Sequence, residues 1–289
     1  MNDVHHLPDG PAEVDASLPE LDAPPLPLAP VCDNLTFTQT PLIVEVNASG
    51  QQDAVAGESA DGLTVISQRR AQCAGPFALL LTDGLGVLAV TTDITGLPGL
   101  AQLDVGREGA VTLTSDGLAV VAVTPTGTQL AMAARTQPGT TDFAPVDGGF
   151  GAIVAPVGAS LANPVLSADR LALYYQLINA GSGIDGIYES VRSARSVPFP
   201  AATRMPANIQ TATFVTGISS DRLALFLQVG FAMVVLTRSD LAQPFVNPNA
   251  PGEPPSVPGF RTRPLGDCQT LIGTCTGGCL NEETCRFTH

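Results

Sequence analysis

Apolar residues along this chain fall into short runs, and each run opens on the same polar signal. The run Leu171-Ala172-Leu173-Tyr174-Tyr175 follows Ser167-Ala168-Asp169-Arg170. Its counterparts are Leu63-Thr64-Val65-Ile66 after Ser59-Ala60-Asp61-Gly62, Leu118-Ala119-Val120-Val121 after Thr114-Ser115-Asp116-Gly117, and Leu223-Ala224-Leu225-Phe226 after Ser219-Ser220-Asp221-Arg222. A polar turn pair ahead of an apolar segment is the signature of a β-hairpin. Two residues after each aspartate comes a leucine, then a small residue, and at the fifth position a bulky one (Ile66, Val121, Tyr174, Phe226). Both faces of the following strand are therefore apolar, the pattern of a strand buried on both sides between stacked sheets.

The aspartates are separated by 55, 53 and 52 residues, and a weaker copy at Asp267-Cys268-Gln269-Thr270-Leu271-Ile272 follows 46 residues later. Repetition at a fixed period outranks other sequence signals for architecture. A second apolar strand in each unit ends at Arg135, Arg192 or Arg238, and seven or eight residues later comes Phe143, Phe199 or Phe245. In the first unit Phe77 to Asp83 reads as this strand, with Asp83 aligned to the arginine position and no phenylalanine following at that distance. A Pro-rich loop over 246–264 precedes the last unit.

About fifty residues of strand, turn, strand, loop and strand is the size of a four-stranded propeller blade, slightly above the usual ~40–45. The units resemble the WD40-like, TolB-type (PD40) β-propeller repeat, which carries a Ser-x-Asp-Gly turn, an apolar strand and a later apolar strand ending near Arg. The resemblance covers about 36–245 well and the final unit poorly. Arg170 and Arg222 stand where the pattern has Gly. Arginine tolerates a positive φ badly, which leaves the turn type of those copies open. The resemblance implies an all-β propeller of five four-stranded blades, with six as the alternative. Phe37 to Val46 matches the piece that ends other units, so the N-terminal strand is expected to complete the last blade and remove its exposed edge.

Residues 1–31 carry six carboxylates, no Lys or Arg and many prolines, so they read as a disordered acidic linker ahead of a propeller over 32–289. The net charge of −14 disfavours nucleic acid and anionic membrane surfaces as partners. No apolar run approaches the roughly 20 residues of a transmembrane helix. The six cysteines, Cys32, Cys73, Cys268, Cys275, Cys279 and Cys285, lack paired Cys-x-x-Cys knuckles, which favours disulfides over zinc. They point to an oxidising compartment, with 267–289 a disulfide-stapled final blade. No signal peptide is recognisable at Met1, so the expected location is secreted, periplasmic or surface-anchored on the cysteines and the resemblance alone. Asn34-Leu35-Thr36 and Asn47-Ala48-Ser49 match the glycosylation tripeptide, a common chance pattern.

The histidines, His5, His6 and His289, all lie in the tails. A Ser-His-Asp or Cys-His pair inside the body, and a His-ligated catalytic zinc, are excluded on composition. The repeated aspartates Asp61, Asp116, Asp169, Asp221 and Asp267 would stand symmetrically around a ring, not roughly 5–10 Å apart across one sugar as a glycosidase pair must. They read as turn residues accepting backbone N–H bonds. The arginines read as inter-blade partners of carboxylates or carbonyls. The expectation is a monomeric, non-catalytic, cofactor-free propeller that binds a protein or small ligand. The alternatives are a polysaccharide hydrolase or lyase and a purely structural surface protein.

Overall fold

The computed structural model describes residues 54–59, 63–70, 76–84, 89–107, 109–179, 184–206, 209, 215–219, 221–229 and 233–246, and the backbone of 38–40, 52–53, 214, 232, 257–258, 260–264, 270–274 and 284–288. The strands run in chain order. They are β1 (Thr38–Thr40), β2 (Gln52–Glu58), β3 (Thr64–Arg70), β4 (Ala78–Asp83), β5 (Val90–Asp93), β6 (Val111–Leu113), β7 (Ala119–Val123), β8 (Leu130–Ala134), β9 (Ala144–Val146) and β10 (Ser160–Leu166). There follow β11 (Ala172–Ile178), β12 (Gly186–Val191), β13 (Thr203–Arg204), β14 (Phe214–Ile218), β15 (Ala224–Val229), β16 (Ala232–Thr237), β17 (Val257–Pro258), β18 (Phe260–Pro264), β19 (Thr270–Thr274) and β20 (Thr284–Thr288).

Among the described residues these form five four-stranded sheets. Four are contiguous in sequence: β2–β5, β6–β9, β10–β13 and β14–β17. The other has the order β1-β20-β19-β18, so its outer strand comes from the opposite end of the chain. First strands contact first strands in succession, β2 with β6, β6 with β10, β10 with β14, β14 with β18 and β18 with β2. The architecture is an all-β propeller of four-stranded blades. The strand expected within 37–46 is β1, Thr38–Thr40, paired to β20 through Gln39 opposite Phe287. Residues 42–46, the linker 1–31 and the side chains of 267–289 lie outside the described residues.

Each second strand is apolar on both faces because it sits between two neighbours. In β11, Leu173, Tyr175 and Leu177 join a cluster with Val121 and Met132 of the preceding blade. The alternate positions, Ala172 and Tyr174, join a different cluster with Leu225, Leu227 and Leu236 of the following blade. A strand's period of two sends successive side chains to opposite faces, so one continuous apolar run feeds two seams.

Near the axis there is little room. The first strands β2, β10, β14 and β18 each break register with a bulge, at Val55/Gly57, Ala162/Val165, Val215/Gly217 and Phe260/Arg263, which sharpens their local twist. A Cβ on Gly57 would lie 2.6 Å from the Cβ of Leu113 and 2.7 Å from its backbone nitrogen, across the first seam. Gly57→Ala is therefore expected to cost about 1–3 kcal/mol by overpacking. Its melting temperature falls by several degrees, while Gly96→Ala, with nothing within 4 Å, leaves it nearly unchanged. Equal melting temperatures for the two variants would contradict the tight inner seam.

Candidate functional site

The turn between the first and second strands of a blade is built by two side chains. In the second blade Thr114 Oγ1 donates to Asp116 Oδ1 at 2.5 Å and accepts from Ala119 N at 2.9 Å. Asp116 Oδ1 also accepts from Leu118 N at 3.0 Å. Ser167 with Asp169, and Ser219 with Asp221, repeat the arrangement. Ser59 accepts from Thr64 N at 2.9 Å in the first blade, where Asp61 itself lies outside the described residues, as does Asp267. The aspartates that are described thus serve as turn acceptors.

The residue after the aspartate has φ of +69° at Gly117, +59° at Arg170 and +62° at Arg222. The arginine copies therefore do not change turn type. Their strain is offset by reach across the seam. Arg170 Nη2 donates to Asp116 Oδ2 at 2.5 Å, and Arg222 Nε lies 3.2 Å from Asp169 Oδ2. Asp116 and Asp169 are each held in this way from the following blade, two successive rungs on one face of the ring. Burial alone would push the Asp116 carboxyl up. The charge of Arg170 and the bonds from Thr114 and Leu118 outweigh it and hold the carboxyl below its ordinary range.

The arginine after the third strand of the second, third and fourth blades bonds its own turn, with Arg135 and Arg192 buried and Arg238 partly buried. Arg135 Nε donates to Gly117 O at 3.0 Å, Arg192 Nε to Arg170 O at 2.9 Å and Arg238 Nε to Arg222 O at 2.9 Å. Each guanidinium lies over the phenylalanine seven or eight residues on, 5.6 Å above Phe143, 4.3 Å above Phe199 and 4.3 Å above Phe245. The recurring Arg and Phe are thus one unit. Arg135 then reaches the first blade, where Nη1 and Nη2 bond the two Asp83 oxygens at 2.7 and 2.8 Å and Nη2 also meets Thr64 Oγ1 at 3.2 Å.

Asp83 does not occupy the arginine position. Gly84 N donates to Leu63 O as Arg135 N donates to Leu118 O, so Gly84 is the equivalent and Asp83 stands one residue earlier. Burial pushes the Asp83 carboxyl up, but hydrogen bonds from Arg135 and Thr64, with the arginine's charge, hold it below the ordinary carboxylate value. At the third seam Glu189 plays this part. Its Oε1 accepts from Tyr174 Oη at 2.6 Å and lies 3.8 Å from Arg238 Nη1. Burial and the Glu189 charge raise the Tyr174 phenol's pKa.

A recurring glutamine, seven residues after the turn aspartate at Gln68, Gln176 and Gln228, escapes the turn-centred reading of the repeat. Gln68 Nε2 donates to Val105 O and Arg107 O at 3.0 and 2.9 Å, and its Oε1 accepts from Gly109 N at 3.1 Å. It fastens the connector that leads into the second blade. Gln176 Oε1 accepts from Asn163 Nδ2 within its own blade at 3.0 Å. The second copy has Val123, which breaks the pattern and hid it.

Among the described residues no three His, Cys, Asp or Glu converge to hold a metal, and no helix is long and apolar enough to cross a membrane. The side chains of the six cysteines and the three histidines fall outside the described residues.

No family model matches the chain, and no curated protein matches it. Among solved structures it is similar to an α-L-arabinofuranosidase from Podospora anserina, with 11% identity over 88% of this chain and 96% of that one, at a TM-score of 0.51. The catalytic domain of an α-L-arabinofuranosidase from Coprinopsis cinerea matches with 11% identity over 87% and 96%, at 0.52. TolB from Acinetobacter baumannii matches with 13% identity over 84% of this chain at 0.47, and this chain spans 56% of TolB. At these identities the likeness is one of fold.

The seam geometry ranks the carboxylates. The Arg135 side chain is fully buried, so Asp83→Asn, which leaves it without a counter-charge, is expected to cost roughly 3 kcal/mol in denaturant melts. Asp116→Asn keeps the acceptor for Leu118 N and loses a half-exposed pair, costing about 1 kcal/mol or less. A depressed carboxylate stabilises the fold above its unfolded pKa and stops doing so as pH falls through its folded one. The wild type should therefore lose stability in acid below the ordinary value of 3.8. The Asp83→Asn curve should be flatter there, and a parallel curve would refute the assignment.

Proposed function

We propose that the protein is a non-catalytic, exported binding scaffold, a propeller of five blades whose ring is closed by β1. It takes a protein or small ligand on the face opposite the aspartate turns. One observation carries this reading. The described Asp and Ser/Thr side chains that recur at the blade turns are spent on turns and seams. Outward hydrogen-bonding capacity gathers instead on a loop that the blades do not share.

That loop joins β7 to β8. Thr124, Thr126 and Thr128 place their hydroxyls in a row, 3.0 and 2.9 Å apart, with Thr126 exposed. The row is held rigid from the next connector, where Ala155 N donates to Thr128 O at 2.8 Å and Leu161 N to Gly127 O at 2.7 Å. Between those two anchors Val157 is fully exposed, and Val154, just before the first of them, is half exposed. A pre-ordered row of hydroxyls beside exposed apolar side chains binds an uncharged surface at little ordering cost. Export rests on the six cysteines, proposed to form disulfides that staple the region around 267–289.

Two measurements test this. Material captured from a native envelope extract should stay on the wild type and on Asp169→Asn. It should be lost from the double variant Thr126→Val with Val157→Asp. Equal retention by all three, or none by the wild type, sinks the binding reading. Intact mass with and without reductant should show paired cysteines, and six free thiols would remove the case for export.

A further inference from the structure

The three arginine seams differ at one point. In the first seam Thr64 and Asp83, paired in register, supply the oxygens that receive Arg135 Nη2. In the next blade the register pair at the same place is Ala119 with Ala134. Arg192, the counterpart of Arg135 one blade on, is 7% exposed and among the described residues donates to carbonyls alone: Arg170 O, Gly148 O and Val197 O, the last two both from Nη1 at 3.3 Å. Among the described residues its Nη2 has no hydrogen-bond partner.

A second guanidinium of this seam is also short of an acceptor. Arg170 Nε is buried and unpartnered, although its Nη2 holds Asp116. The equivalent Nε of Arg222 sits beside Asp169. Arg195 completes the group, donating from Nε to Asp169 O at 3.1 Å. The charges of Arg170 and Arg195 add to burial in pushing the Arg192 guanidinium's pKa down, while Asp147 and Asp169 pull it back. Those carboxylates have other partners: Asp147 accepts from Gly149 N, and Asp169 from Ser167 and Leu171. Arg192, whose Nη2 meets no described acceptor, thus lacks at this seam the carboxylate that Arg135 and Arg238 have at theirs, and Arg170 Nε is buried without one.

We propose that the seam between the second and third blades binds a small carboxylate at Arg192, which stands there as Arg135 stands to Asp83 in the first seam. Planar, two-pronged geometry makes a carboxylate fit a guanidinium better than a spherical halide does. The site is separate from the threonine loop and does not depend on that reading.

The test uses the full chain and acetate as probe. In a melting series at constant ionic strength, replacing chloride by acetate should raise the wild type's melting temperature with saturation. Ala134→Asp supplies the missing carboxylate from within. It should melt higher than the wild type in chloride and lose the acetate increment. Should that variant fail to fold, the acetate methyl resonance read by NMR on the wild type decides. It should broaden saturably with protein, and formate should reverse the broadening where chloride does not. An acetate effect equal to that of chloride overturns the proposal, as does an increment undiminished in Ala134→Asp or an unbroadened resonance.

Discussion

The bond on which the seams depend is the one from a buried arginine Nε to a turn carbonyl. Arg135, Arg192 and Arg238 each donate to the residue after the turn aspartate, Gly117, Arg170 and Arg222. That carbonyl faces inward because its residue has a positive φ, and the turn is locked there by the Ser/Thr–Asp bonds. A guanidinium taken out of water is costly unless its N–H groups are met and its face is covered. The turn meets one edge, a phenylalanine covers the face, and in two seams a carboxylate of the preceding blade meets the far edge. Turn, strand end and loop of one blade are in this way coupled to the blade before it.

This coupling explains why so much of the fold is visible in the sequence. The turn residues, the arginine and the phenylalanine recur because removing one leaves the others unsatisfied, so the period survives where the apolar residues drift. Apolar positions need only volume, and Ile66, Val121, Tyr174 and Phe226 interchange freely. Less visible were relations across a seam. Nothing local tells that Arg170 answers Asp116, 54 positions away, or that Asp83 is the partner of an arginine and not its replacement. Reading Asp83 into the arginine column follows naturally from spacing, and only the backbone bond of Gly84 corrects it. Gln68 was hidden for a related reason: its partners are main-chain groups of a connector, which leave no mark on composition.

Arginine at a left-handed position shows how such relations override local propensity. Glycine is the cheap choice there, and Gly117 takes it. Arg170 and Arg222 accept of order 1 kcal/mol of backbone strain. In return each places a cation beside the preceding blade's turn carboxylate, which a glycine cannot do. The first seam, whose turn residue is Gly117, has no such rung and instead has the bidentate pair of Arg135 with Asp83. The third seam has both kinds of contact, the turn rung of Arg222 with Asp169 and the strand-end pair of Arg238 with Glu189.

The same reasoning bears on where function can lie. A ring of like units tolerates difference only where no neighbour depends on the residue. The carboxylates Asp116 and Asp169 of the aspartate-turn face are committed, because each already holds both a turn and an arginine. The loop of Thr124 to Thr128 copies the backbone of the aspartate turn, with Gly127 N bonded to Thr124 O as Gly117 N is to Thr114 O. Thr126 there replaces the aspartate and no described arginine reaches it, so the same local fold, tied to the next blade by its backbone alone, leaves the Thr126 side chain exposed to solvent. Identical backbone with a different side-chain duty separates the part of the repeat that builds the ring from the part free to recognise something else.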